Sequence, residues 1–207
     1  MPVMIPKSWW SSRDIWVGPT AIIVASGALL LAGSSIARLL AFDRPAITSG
    51  QWWRLCTGNR VHLGFWHYFL NALSLLLWIG VCPQRLRPSD WLLRLLVIGT
   101  GLGLGLYFFD PELQDYVGLS GFIYGVFLLD LGNDTLRRRD GFAGLCLIFL
   151  VVRVGYETIE GAPAYELELI GGQVVAASHI WGMVAAVIYG LACYMVDQIR
   201  QHRSPPL

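Results

Sequence analysis

Four polar side chains lie near the beginnings of apolar segments in this sequence: Ser120, His179, His67 and Asn71. Polar groups are costly in hydrocarbon, so they usually face the interior of a helix bundle or a water-filled cavity. A serine hydroxyl is a weak nucleophile at neutral pH, and a histidine that accepts its proton activates it. An amide and a second imidazole can donate hydrogen bonds to a developing oxyanion. Together these residue types supply the parts of a serine hydrolase.

The composition indicates that membrane helices must position these side chains. The chain is 55% hydrophobic and 14% charged, which is too apolar for a soluble domain of 207 residues. A helix needs roughly 20 mostly apolar residues to cross the bilayer core. The fourth and fifth apolar segments are short and include Asp130 and Arg153, which suggests that neighbouring helices shield them. We predict an all-α membrane protein with a single domain, 1–207, and six spans: 16–41, 64–82, 91–109, 117–132, 141–156 and 175–196.

Charged loop residues predict the orientation of this bundle. Basic residues concentrate on the side of the two termini: Lys7, Arg13, Arg85, Arg87, Arg137, Arg138, Arg139, Arg200 and Arg203. The opposite side carries three arginines, all in the first loop: Arg44, Arg54 and Arg60. The third and fifth loops, on the opposite side, carry acidic residues and no Lys or Arg: Asp110, Glu112, Asp115, Glu157, Glu160, Glu166 and Glu168. The positive-inside rule therefore places both termini in the cytoplasm. Ser120, His67 and His179 then lie near the outer ends of the even-numbered spans.

Small residues predict how the fourth and sixth spans pack. Each span has glycine or alanine at intervals of four residues, on one helix face: Gly121 and Gly125 in the fourth, and Gly182, Ala186 and Gly190 in the sixth. Such spacing lets two helix backbones approach closely. We therefore expect packing of these two stripes to bring Ser120 and His179 together near the outer end of the bundle.

An aromatic residue is placed to orient the histidine. Tyr124 follows Ser120 by four residues and can stack on the His179 ring. No Asp or Glu in the outer half of a predicted span stands out as a third catalytic residue. We therefore expect the tyrosine to take the place of the missing acid.

Each of these features also has a simpler explanation. A serine beside glycines is commonly part of small-residue helix packing, and a lone intramembrane histidine can relay protons or donate one structural hydrogen bond. His67 and Asn71, four residues apart on one helix face, can bond a neighbouring helix. On the residues alone, a hydrolase and a transporter or channel both remain open.

The order and spacing of several motifs resemble those of the rhomboid intramembrane serine proteases. The matching motifs are Trp53-Arg54 in the first loop, the HxxxxHxxxN pattern of His62, His67 and Asn71, GxSG at Gly118–Gly121, the aromatic Tyr124, and HxxG at His179–Gly182. Within that family, the segment 110–121 and the acidic fifth loop ending in Ile170-Gly171-Gly172 look most similar to the rhombosortases.

The resemblance implies roles for the candidate residues. Ser120 would be the nucleophile and His179 the general base, as a dyad rather than a triad. His67, Asn71 and the backbone N–H of Ser120 would form the oxyanion hole. The residues implied to support the site are Tyr124, Gly118, Gly121, Gly182 and His62. No metal and no organic cofactor would be needed.

The resemblance also implies a substrate and a location. The substrates would be exported proteins with a C-terminal Gly-Gly segment, a hydrophobic helix and a basic tail, reached through membrane lipid, with no role for nucleic acid. The location would be the bacterial cytoplasmic (inner) membrane, with the active site opening toward the periplasm.

Two alternatives differ from this interpretation. One is a catalytically inactive rhomboid-like protein that binds membrane clients, for which loss of the serine or histidine would be the simplest sign. The other is a small transporter with a proton path through His67, His179 and Asp130. A transporter predicts an inverted repeat of spans, or polar groups that continue to the inner face, and neither is evident in the sequence.

Overall fold

A computed structural model describes residues 13–203 except 83 and 85, without the side chains of 13, 14, 202 and 203. The chain forms helices α1 (Arg13–Leu31) and α2 (Ser34–Leu40), strand β1 (Phe42–Asp43), and helices α3 (Arg44–Thr48) and α4 (Arg54–Thr57). A 3₁₀ turn (Gly58–Arg60), α5 (Phe65–Val81), α6 (Pro88–Phe109) and strand β2 (Asp115–Tyr116) follow. The last elements are α7 (Ser120–Arg138), α8 (Gly141–Glu160), α9 (Ala164–Ile170) and α10 (Ala176–Arg203). The predicted all-α membrane fold is confirmed.

Length and hydropathy divide these helices into two groups. Within the described residues, α6, α8 and α10 are each long and apolar enough to cross a membrane alone. Two further candidates are bent pairs, α1 with α2 and the α4 segment with α5, which would raise the number to five. The central helix α7 falls outside this group, and its C-terminal half carries several charged residues. The count of six spans therefore stays a prediction.

The predicted first span, 16–41, is divided in the structure. Helix α1 ends at Leu31, and the chain turns by 119° before α2 begins. Gly33, with φ of +89°, lies in this turn, in a backbone conformation that favours glycine. Residues 32–41 therefore do not continue α1 as one straight helix.

The ends of two later helices also differ from the sequence prediction. The C-terminal end of α7 extends to Arg138, beyond the predicted boundary at 132. Helix α8 ends at Glu160, one turn beyond the predicted boundary at 156, and Gly161 follows with φ of +79°. Most of α8 faces outward, so the shielding expected for the fifth span is absent over most of that helix. The predicted orientation rests partly on Lys7 and Arg85, which lie outside the described residues.

Backbone contact between α7 and α10 forms the centre of the bundle. A Cβ atom added at Gly182 would lie 1.9 Å from the carbonyl oxygen of Gly121. One added at Gly125 would lie 2.5 Å from the carbonyl oxygen of Gly182. The two small-residue stripes thus pack together, and this packing fixes the separation of the helix ends that carry Ser120 and His179.

Two arginines of the first loop bind backbone carbonyls of neighbouring segments. Arg44 donates four hydrogen bonds of 2.7–2.8 Å to backbone carbonyls at the end of α6 and just after it: Leu106, Tyr107, Asp110 and Leu113. Arg54 donates to the carbonyls of Arg38 and Ala41, both at 2.7 Å. Strands β1 and β2 pair beside these contacts. These contacts fix the first loop next to the segment that precedes Ser120.

A separate polar network lies deeper in the bundle, toward the C-terminal end of α7. Asp130 is buried and accepts hydrogen bonds from Arg94 at 2.8 and 3.0 Å and from the Trp78 indole at 3.1 Å. Arg94 is thus buried against α7 and does not extend to the membrane surface. These contacts commit Asp130 to an ion pair between helices, which disfavours a role in a transporter's proton path.

Candidate active site

Ser120 occupies the first position of α7, directly after a turn that requires glycine at position 118. Gly118 has φ of +134°, and a Cβ atom there would lie 2.8 Å from the His67 imidazole. The carbonyl of Gly118 accepts a hydrogen bond from the Tyr116 hydroxyl. The first N–H groups of a helix have no acceptor within that helix. The backbone N–H of Ser120 is therefore free to bind another group.

His179 contacts Ser120 from the facing helix α10. Its Nε2 atom lies 2.9 Å from the Ser120 Oγ atom, and its side chain is buried. The Tyr124 ring stacks on the imidazole, with centroids 4.1 Å apart and planes inclined by 11°. This geometry allows a proton to pass from the serine hydroxyl to the histidine ring.

A buried carboxylate that the sequence analysis did not assign contacts the other nitrogen of the same ring. The Glu157 Oε2 atom lies 2.8 Å from the His179 Nδ1 atom, and Glu157 is only 2% exposed. The expectation that no acid contacts this histidine is therefore wrong. The error came from ending the fifth span at 156, which assigned Glu157 to an acidic loop. The missed signal was Arg153, four residues earlier and on the same helix face.

Arg153 joins this carboxylate to the short outer helix α9. Its Nη2 atom lies 2.6 Å from Glu157 Oε1, in an ion pair that lacks hydrogen-bond geometry. The same Nη2 donates a hydrogen bond of 2.8 Å to Glu166 Oε2. The buried carboxylate of Glu157 thus has a cationic partner and does not stand alone in an apolar environment.

The two other candidate donors line the same small cavity as the serine and histidine. His67, Asn71, Ser120, Tyr124 and His179 are among the residues around this space of about 120 Å³. Asn71 is buried and donates one amide hydrogen to the His67 carbonyl at 3.0 Å, which leaves its second N–H available. The Nδ1 atom of His67 accepts from the Leu63 N–H at 3.4 Å, so the neutral ring carries its proton on Nε2.

His62 lies behind His67 and does not line the cavity. Its ring meets the His67 ring edge-on, with centroids 5.1 Å apart, and contacts Tyr68 in the same way at 5.7 Å. Burial and the neighbouring His67 lower the pKa of His62 to about 3, so the ring is neutral at physiological pH. His62 therefore contributes packing behind the His67 ring.

Comparison with known proteins identifies the family. The Rhomboid domain matches residues 49–196, a range that contains every side chain described at this site. The chain is 34% identical over 161 residues to YdcA of Bacillus subtilis (strain 168), which is provisionally named a rhomboid protease. That alignment covers 74% of this chain and 73% of YdcA. The chain is also 27% identical over 120 residues to the rhomboid protease GluP of the same organism, covering 55% of this chain and 23% of GluP. The chain therefore belongs to the rhomboid family of intramembrane serine proteases.

Proposed function

We propose that Ser120 is the nucleophile of this protease and that His179 is its general base. The observation that carries the proposal is the 2.9 Å contact between Ser120 Oγ and His179 Nε2, beside a cavity that holds further hydrogen-bond donors. The serine oxygen attacks the substrate carbonyl while its proton moves to Nε2. The protonated histidine then donates that proton to the leaving amine, and water hydrolyses the acyl-enzyme.

The oxyanion of the tetrahedral intermediate is stabilised by three donors. They are the Nε2–H of His67, the free amide hydrogen of Asn71 and the backbone N–H of Ser120. Each faces or adjoins the cavity at the beginning of α7, where the attacked carbonyl oxygen would lie. A donor of this kind typically contributes ~10²–10³ in rate, since the charge it stabilises develops only in the transition state.

The substrate is a membrane-anchored exported protein of the rhombosortase type. It carries a Gly-Gly segment at the outer membrane boundary, one apolar C-terminal helix and a short basic end. A helical peptide carbonyl is hydrogen-bonded and hidden from attack, and each glycine weakens a helix by roughly 1 kcal/mol relative to alanine. The small volume of the cavity also favours glycine over larger residues beside the scissile bond.

The protein lies in the bacterial inner membrane, spans it six times, and has both termini in the cytoplasm. The positive-inside pattern of the loops supports this orientation. Ser120 and His179 then open toward the periplasm, where water can reach the acyl-enzyme. Cleavage at this level would release the exported domain from its membrane anchor.

A reporter with the proposed tail tests the substrate assignment. An exported domain joined to Gly-Gly, an apolar helix and a basic end would be expressed with the wild-type protease, and its fragments measured by mass spectrometry. We expect cleavage in or next to the Gly-Gly segment. Replacing Gly-Gly with Leu-Leu should slow cleavage sharply, because the segment then stays helical and crowds Ser120. Cleavage at the cytoplasmic end of the helix would overturn both the substrate and the orientation.

A further inference from the structure

We propose that Glu157 is a positioning residue for His179, so that the site works as a Ser120–His179–Glu157 triad. The inference rests on the proposed roles of Ser120 and His179. Three side chains from three helices form one continuous line of contacts, with 2.9 Å between serine and histidine and 2.8 Å between histidine and glutamate. Of the two other members of the triad, the glutamate contacts only the histidine, and it does not line the cavity, so it acts through the base.

The glutamate selects the protonation pattern that the reaction needs. A carboxylate only accepts hydrogen bonds, so the ring proton of neutral His179 must lie on Nδ1, facing Glu157. The lone pair of Nε2 is then left facing the Ser120 hydroxyl. In the other tautomer, Nε2 would carry a proton and could not accept one from the serine.

Glu157 also balances the charge that appears on the histidine during catalysis. When Nε2 takes the serine proton, the ring becomes a cation in a buried site. Glu157, Glu166 and Arg153 together carry one net negative charge on the side of the Nδ1 atom. The charge of the imidazolium is therefore compensated by groups that are already in place where it forms.

Glu157 and Tyr124 restrain the ring in different directions. The stacked tyrosine lies parallel to the imidazole and limits its tilt. The hydrogen bond from Nδ1 to Glu157 lies at the ring edge and fixes rotation within the plane. Both restraints are needed to aim Nε2 at the serine, so the tyrosine supplements the acid and does not replace it.

The most direct test measures the reactivity of Ser120 itself. A fluorophosphonate probe would be reacted with full-length protein in detergent, and the second-order labelling rate at Ser120 compared for wild type, E157Q and E157D. We expect E157Q to lower this rate by up to ~10⁴-fold, the factor by which kcat falls when the aspartate of a serine protease triad is replaced by asparagine. E157D should recover part of the loss. With the Gly-Gly reporter, E157Q should lower kcat by a similar factor and leave KM nearly unchanged.

A matched control separates this role from a general effect of removing a buried charge. Asp134 is also buried and also pairs with an arginine four residues away, Arg138, at 3.3 Å. It lies at the inner end of α7, away from the cavity. D134N should therefore label at the wild-type rate. A labelling rate of E157Q within threefold of the wild-type rate would contradict the proposed triad.

Two further measurements keep the test decisive. If E157Q does not fold because Arg153 loses one of its two acidic partners, R153Q/E157Q removes both charges and should show the same slow labelling. R153Q alone keeps the carboxylate and should label much faster than the double variant. If the probe does not label wild-type protein at Ser120, the proposed nucleophile is wrong. The experiment therefore distinguishes an error in the proposed nucleophile from an error in the role of Glu157.

Discussion

At the residue scale, the space beside Ser120 is shared by Gly118 and the His67 ring. A single Cβ atom on Gly118 would lie 2.8 Å from two atoms of that ring, and the φ of +134° is strained for any residue with a side chain. The position of one proposed oxyanion donor therefore depends on the absence of one methyl group.

Gly118→Ala should lower kcat at least tenfold, because His67 must move or the turn before Ser120 must change. Initial rates on the Gly-Gly reporter would show the effect. Gly132→Ala is the matched control, since a Cβ there meets nothing within 4 Å. Equal activity of both variants would contradict the importance of the His67 position.

Asn71→Ala should lower kcat by ~10²–10³ and change KM little, because the amide is proposed to bind the oxyanion only as it forms. His67→Ala should behave in the same direction. Thr135→Ala, which removes a hydroxyl that bonds the carbonyl of Leu131 on its own helix, should keep wild-type kinetics. If both Asn71→Ala and His67→Ala turn over substrate at the wild-type rate, these side chains make structural hydrogen bonds only and do not stabilise the oxyanion.

At the element scale, helix packing was more predictable than helix ends. The stripes at Gly121 and Gly182 could be read from spacing, because small residues every four positions mark a close helix contact. The end of α8 could not be predicted from the sequence. Glu157 and Glu160 resemble loop residues until the partners of Glu157 are known. Those partners come from Arg153, one turn earlier, and from His179, 22 residues later in the chain.

Gly182→Ala should destabilise the protein by about 1–3 kcal/mol and lower activity in parallel. The added Cβ would lie 1.9 Å from the Gly121 carbonyl oxygen, so α7 and α10 must separate and draw Ser120 away from His179. Thermal unfolding in detergent and reporter cleavage would measure the two effects. Gly155→Ala, where a Cβ meets nothing within 4 Å, should leave both unchanged. A Gly182→Ala protein with unchanged stability would contradict the backbone contact.

At the scale of the whole molecule, buried polar groups form two layers. One layer is the candidate active site, and the other joins helices through an ion pair. The layer that we propose to be outer contains the candidate reactive side chains, and the other, the inner layer, contains the Arg94–Asp130 ion pair with Trp78. The apolar composition predicted a membrane bundle, and the motifs predicted the outer layer. The inner ion pair was not predicted, because 36 residues separate its partners and neither belongs to a recognised motif.

Asp130→Asn should lower stability by about 3–5 kcal/mol, since it leaves a buried guanidinium without its counterion. Cleavage per folded molecule should stay near wild type, because ten helical residues place Asp130 about 15 Å from Ser120. Thermal unfolding and activity normalised to folded protein would show the contrast. The double variant R94M/D130L should regain much of the lost stability. Loss of specific activity equal to that of a nucleophile variant would assign Asp130 a catalytic role instead.

The central claim is that Ser120, activated by His179, cleaves membrane-anchored substrates. The most direct measurement compares cleavage of the Gly-Gly reporter by purified wild type, Ser120→Ala and His179→Ala, with thermal unfolding of each protein as the control for folding. We predict that wild type cleaves the reporter, and that both variants fold like wild type and leave it intact. Cleavage by Ser120→Ala at more than a trace of the wild-type rate would contradict the account.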